Sequence, residues 1–267
     1  MSPFQFRLQL RRRAELPPGF QEVRWRSQTL RKRMAFLLYR PPGYHRHGDQ
    51  RYPVLYLLHG SGHDWHSVLR EVRPQEHIAL LGRAILVVPD GDQAWWLDSP
   101  VSPDSRYGSY LLELVEFLDR RYRTIARRAA RGICGFSMGG YGAMLLAGQY
   151  PALFGTASSL LGILDIAQVF PDYHHLRLLL GPDRDTWQRF NPVNWAQNLS
   201  HTALQFCSAE DAPERGQNEA FAAALRSLQI PFEYSVYPGG HDADFVQEHI
   251  GAYFGFHRRA FDHTTRG

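Results

Sequence analysis

Five short apolar runs constrain this chain more than any other feature. "YPVLYLLHG" (52–60), "RAILVVPDG" (83–91), the run through Ile133 and Cys134, "TALQFCSAED" (202–211) and "FEYSVYPGG" (232–240) lack strict polar alternation. Most are closed by glycine or acidic residues. Runs of this kind fit strands buried on both faces of a parallel sheet. Helical patterns lie between them. Tyr110–Tyr122 sets Leu111, Leu114, Val115 and Leu118 on one face, and Glu219–Leu228 does the same with Phe221, Ala224, Leu225 and Leu228. Strand and helix alternating along most of a chain predict an α/β fold: a mainly parallel central sheet with helices on both faces. Two segments that alternate polar with apolar residues, about 21–28 and 33–39, predict an opening antiparallel pair.

The rhythm breaks between about Asp165 and Ser200, a stretch rich in Pro, Asp and Trp with no clear strand. It is expected to be a small inserted cap, and residues 1–267 to form one domain around it. No internal repeat, low-complexity segment or linker divides the chain. Its 267 residues can bury one large core.

Composition narrows the function classes. The net charge is +4, but Lys32 is the only lysine, and the arginine clusters at 11–13, 31–33 and 120–128 are scattered rather than interleaved with stacking aromatics. A solvated basic face is expected, not a nucleic-acid partner. No apolar stretch reaches the length of a membrane span, and no signal-like segment follows the basic N-terminus, so the expectation is a soluble, cytoplasmic protein with no membrane partner. The two cysteines, Cys134 and Cys207, fall in apolar runs and are expected to be core residues rather than a disulfide.

"RGICGFSMGGYGAM" (131–144) crowds four glycines around Ser137. The motif Gly135-x-Ser137-x-Gly139, after a buried strand and before a helix of small residues, is what a nucleophile elbow requires. A turn this tight crowds any side chain at Gly135 or Gly139, and it lifts the hydroxyl to the helix N-terminus. A serine hydroxyl needs a general base with a carboxylate behind it. On such a sheet the order is serine, acid, histidine, each at a strand end. "VYPGGHDADF" supplies His241 as base. "LQFCSAED" offers Asp211 as acid, with Glu210 as the alternative. Two backbone N–H groups should stabilise the developing oxyanion, those of Met138 and Ser61. Gly60 and Trp96 are expected to contact substrate. His59, His63 and His66 resemble a metal set only superficially, since their spacing matches no strong motif; no metal and no cofactor is expected.

The pieces "PVLYLLHGSG", "VVPDGDQAWWLDSP", "YGSYLLELVEFLDRRY", "ICGFSMGGYGAMLLA", "CSAED" and "YPGGHDADF" run in order from about residue 30 to 250. Together they resemble the α/β-hydrolase superfamily, and within it the esterase family that includes esterase D (S-formylglutathione hydrolase), tributyrin and feruloyl esterases, and the mycolyltransferases. The resemblance implies Ser137, Asp211 and His241 as catalytic residues, with Ser61 and Met138 as oxyanion donors. The loop after "HG" departs from the cysteine-containing loop of the S-formylglutathione hydrolases. A carboxylesterase acting on small-molecule esters with short-chain or small aromatic acyl groups is therefore the expected function. The alternatives are an acyltransferase, an S-formylglutathione-hydrolase-like thioesterase, and a non-catalytic binding protein. A homo-oligomer is compatible with the sequence.

Overall fold

The computed structural model describes residues 16–45, 48–168 and 174–265. Eight strands form one sheet in the order β1-β2-β4-β3-β5-β6-β7-β8. They are β1 (Phe20–Arg26), β2 (Arg33–Tyr39), β3 (Val54–Leu58), β4 (Ile85–Pro89), β5 (Arg131–Phe136), β6 (Thr156–Leu160), β7 (Ala203–Ala209) and β8 (Glu233–Tyr237). β1 and β2 make the antiparallel hairpin, β2 runs antiparallel to β4, and every pairing from β4 to β8 is parallel. β3, β4, β5 and β6 are buried along their whole length, which is why their sequences carry no alternation. This is the mainly parallel α/β arrangement that the apolar runs predict, and it agrees with the α/β-hydrolase fold that the resemblance implies.

Two layers of helices cover the sheet. On one face lie α1 (Tyr107–Arg121) and α2 (Met138–Gln149), which share a core with Phe36, Tyr56, Ile133 and Phe206. Between β6 and β7 the chain forms short helical turns and α3 (His174–Leu180); these occupy the stretch anticipated as a cap. α4 (Arg215–Ser227) follows β7 and joins the same core through Phe221, Ala222 and Leu225. On the opposite face, α5 (Ala243–Thr265) packs Phe245, Ile250 and Phe254 against Leu57, Val88 and Cys134. Cys134 and Cys207 are buried and unbridged, and burial pushes their thiols up to about 12 and about 11. Among the described residues, no helix is long and apolar enough to cross a membrane.

Parallel strands have their carboxyl ends on one rim, and loops leaving that rim collect functional groups. The loops after β3, β4, β5, β6, β7 and β8 all leave from it.

Candidate active site

Ser137 sits between the end of β5 and the start of α2 with φ +54° and ψ −121°. The left-handed φ is strained for a non-glycine residue and costs on the order of 1–3 kcal/mol. The packing around the turn enforces it. A Cβ on Gly135 would lie 2.2 Å from the Gly139 carbonyl oxygen, and one on Gly139 would lie 2.0 Å from the Leu58 carbonyl oxygen. The glycines let α2 start directly against β3 and β5. The Ser137 N–H donates to Leu160 O on β6 at 3.0 Å, while its carbonyl accepts the Tyr141 N–H at 3.0 Å. The residue is thereby held at both ends.

His241 reaches this hydroxyl from the loop between β8 and α5. Its Nε2 lies 2.9 Å from Ser137 Oγ. Its Nδ1 lies 2.9 Å from Oε2 of Glu214. A carboxylate at Nδ1 keeps the proton on that nitrogen, which leaves Nε2 as the acceptor for the serine hydroxyl.

The carboxylate that faces His241 is thus not Asp211, the one expected from the sequence motif, but Glu214. Asp211 is exposed, and its backbone N–H donates to Gly239 O, continuing the β7–β8 pairing one step past the sheet. Glu210 pairs likewise with Tyr237 O and is also exposed. Neither makes an ion pair with His241. After them the chain turns twice, with Ala212 N bonded to Ala209 O and Arg215 N to Ala212 O. The second turn brings Glu214 back over the rim as the N-cap residue of α4, with its side chain only 3 % exposed. The positive end of the α4 dipole favours a carboxylate there. Both carboxylate oxygens are buried, and apart from the close Oε2–Nδ1 contact neither has a hydrogen-bond partner among the described residues. The available signal was positional: Glu214 stands immediately before the periodic apolar face of a helix.

The two expected oxyanion donors flank the serine. Met138 is the first residue of α2, where backbone N–H groups have no intrahelical partner. Ser61 lies in the loop after β3, beside Gly60. A Cβ on Gly60 would stand 3.2 Å from Ser137 Cβ, so this loop abuts the serine. Neither the Ser61 nor the Met138 N–H donates a hydrogen bond among the described residues.

That loop is braced from two sides. His59 is fully buried; its Nδ1 lies 2.8 Å from Gly60 O, and its Nε2 accepts the Gly91 N–H at 2.9 Å. Gln93, from the loop after β4, accepts with Oε1 from Ser61 Oγ at 2.6 Å and from Gly62 N at 2.9 Å. His63 Nδ1 lies 3.1 Å from Ser61 O, and its Nε2 lies 3.0 Å from Glu71 Oε2. Sequence reasoning passed over Gln93, because nothing in its neighbourhood distinguishes it from any exposed loop amide.

Trp96 differs from expectation. Its ring is fully buried rather than lining a substrate pocket. It fills the space that Gly91 and Gly142 leave open, where a Cβ would stand 2.4 Å and 2.6 Å from it. Its Nε1–H donates to His59 O at 3.2 Å. Trp95 and Trp96 both have φ +55°, a strain that burial of two large indoles offsets. Gly60 is buried as well, and its carbonyl faces His59. The segment between β6 and β7 is tied to this rim by Trp95 Nε1–H donating to His175 Nε2 at 2.8 Å, and by Tyr141 Oη–H donating to Phe190 O at 2.9 Å.

A model of the family described as "Putative esterase" matches residues 27–252. The chain belongs to this esterase family. The match spans every strand from β2 to β8 together with Ser137, Glu214 and His241. "Esterase Rv1288" of Mycobacterium tuberculosis (strain ATCC 25618 / H37Rv) is 30% identical over 252 residues, covering 75% of this chain and 51% of that protein. The chain therefore spans about half the length of such curated relatives. An S-formylglutathione hydrolase of Paracoccus denitrificans is 25% identical over 265 residues, covering 90% of this chain and 93% of the other. Among solved structures, a ferulic acid esterase superposes with a TM-score of 0.80 at 21% identity, over 91% of this esterase-family chain and 98% of the other. At that identity the likeness speaks for the shared fold.

Proposed function

We propose that this esterase-family chain is a serine carboxylesterase acting on small-molecule esters with short acyl groups. The observation that carries the reading is the continuous chain from Ser137 Oγ through His241 to Glu214, with both contacts at 2.9 Å. Ser137 Oγ attacks the ester carbonyl carbon as His241 Nε2 takes its proton. The Glu214 carboxylate stabilises the imidazolium that results. The carbonyl oxygen, now negative, is met by the N–H groups of Ser61 and Met138, fixed in place before the reaction begins. Collapse of the tetrahedral species expels the alcohol, which takes its proton from His241 and leaves the acyl group on Ser137. Water activated by the same imidazole then releases the acid.

Two further features support the assignment. Strain at Ser137 is maintained by surrounding backbone, as expected of a half-buried group held in place for chemistry rather than for folding. Glu214 is a buried carboxylate facing His241, an arrangement that does little for stability and is accounted for by catalysis.

The test is hydrolysis of a p-nitrophenyl ester series from acetate to laurate, with Ser137→Ala as control. The reading expects activity highest at two to four carbons and abolished in the variant. Undiminished activity in Ser137→Ala would remove the mechanism.

A further inference from the structure

Beside the loop after β3 the same rim carries a groove of about 750 Å³, bounded by the turn end of the β1–β2 hairpin. Asp64 and Trp65 form one wall and follow Ser61 by only three and four residues. Asp92, on another wall, is the immediate neighbour of Gln93, which binds Ser61. The groove therefore borders the loops after β3 and β4, the first of which abuts Ser137.

Its charges are not evenly matched. The β1–β2 register places Arg26 directly opposite Arg33. Residues facing each other across an antiparallel pair project from the same side at roughly 5 Å between Cβ atoms, and like charges there repel. Both arginines are exposed, and neither side chain makes a hydrogen bond or ion pair among the described residues. The neighbouring charges are otherwise engaged. Lys32 Nζ is 2.6 Å from Asp92 Oδ2, Arg24 Nε bonds Glu22, and Asp64 accepts the Ser67 N–H at 2.8 Å. Among the groove's described residues Asp90 has no cationic partner: Oδ1 accepts the Asp92 N–H at 3.4 Å, and His59 Nε2, 3.7 Å away, is itself the acceptor of the Gly91 N–H. Two free guanidinium groups thus face one carboxylate.

We propose that Arg26 and Arg33 form an anion subsite for the substrate, holding a carboxylate, sulfonate or phosphate group carried by the ester away from its scissile bond. Two planar guanidinium groups on one face suit such an oxyanion, since each offers paired N–H donors. Binding an anion also removes the repulsion between them. The inference rests on Ser137 being the ester-cleaving nucleophile. It adds a substrate class: esters that are acidic at the end remote from the reaction.

The experiment compares three esters on the wild type and on Arg26→Gln/Arg33→Gln. They are neutral p-nitrophenyl butyrate, p-nitrophenyl hemisuccinate with its anion on the acyl side, and the butyrate of 4-hydroxybenzenesulfonate with its anion on the leaving group. The proposal expects the double variant to lose at least fivefold in kcat/KM on one of the anionic esters, mainly through a higher KM. It also expects the neutral ester to change by less than twofold. The wild-type preference for that anionic ester should shrink as salt rises from 20 to 500 mM. Folding of the variant is checked by its Tm, which should equal or exceed that of the wild type because a like-charge pair has been removed. Equal responses of all three esters to the double substitution would overturn the subsite. Failure of the wild type to hydrolyse p-nitrophenyl butyrate or either anionic ester would instead overturn the reading of Ser137.

Discussion

Glu214 Oε2 stands 2.9 Å from Nδ1 of His241, while Asp211, three residues earlier, faces solvent and bonds Gly239 only through its backbone. The two carboxylates therefore differ sharply in expected effect. Glu214→Gln should lower kcat by roughly a hundred- to ten-thousandfold, because the imidazolium loses its counter-charge. Asp211→Asn should stay within about threefold of wild type. Because the buried Glu214 carboxylate has the close contact to His241 Nδ1 but no hydrogen-bond partner among the described residues, Glu214→Gln should also leave Tm unchanged or raised. Steady-state kinetics on p-nitrophenyl butyrate with thermal melts of both variants check this, and a large loss in Asp211→Asn would restore the aspartate.

Gln93 contributes only an acceptor to the loop after β3, taking bonds from Ser61 Oγ and Gly62 N through one oxygen. Gln93→Glu keeps that oxygen and should retain activity within about threefold. Gln93→Leu removes it, freeing the loop that carries the Ser61 N–H, and should lower kcat by about tenfold or more with little change in KM. Equal losses in the two variants would show that the side chain acts through bulk rather than by accepting hydrogen bonds.

The strained backbone at Ser137 predicts a separation of two inactive variants. Ser137→Ala keeps a Cβ at φ +54°, whereas Ser137→Gly relieves the strain. Glycine at this position should be more stable than alanine by about 1 kcal/mol in denaturant unfolding. Its greater freedom in the unfolded chain reduces the gain without reversing it. A less stable Ser137→Gly would place the strain elsewhere.

His257 gives the fold an acid limit. It is fully buried on α5, with Nδ1 2.6 Å from Thr156 Oγ1 and Nε2 2.7 Å from Ser158 Oγ. Burial without a counter-ion lowers its pKa from 6.5 to about 3. Between those values the unfolded chain binds a proton that the native state refuses. Stability is thus full above about pH 6.5 and falls as pH drops toward 3, by at most about 1.4 kcal/mol per unit from this group. Urea unfolding at pH 7, 6 and 5 should show this slope in the wild type and a shallower one in His257→Gln.

The fold was legible because burial on both faces of β3, β4 and β5 left unbroken apolar runs, and the tight turn at Ser137 left its glycines. His241 could be read for a similar local reason, since Gly239 and Gly240 precede it at the end of a strand. Glu214 could not, because its position depends on two successive turns after β7 and on the reach of a longer side chain. Trp96 misled because an indole close to a rim reads the same whether it lines a pocket or plugs the space above Gly91 and Gly142. Gln93 carried no pattern at all; its role exists only once the loops after β3 and β4 are side by side.

The central claim is that Ser137 is made nucleophilic by His241 and Glu214 acting together. Intact-mass spectrometry during reaction with a fluorophosphonate measures this directly, since labelling requires the activated hydroxyl and no particular ester. The expected result is a single adduct on Ser137 in the wild type, none in Ser137→Ala, and labelling at least a hundredfold slower in Glu214→Gln. An adduct on another residue, or wild-type labelling speed in Glu214→Gln, would contradict it.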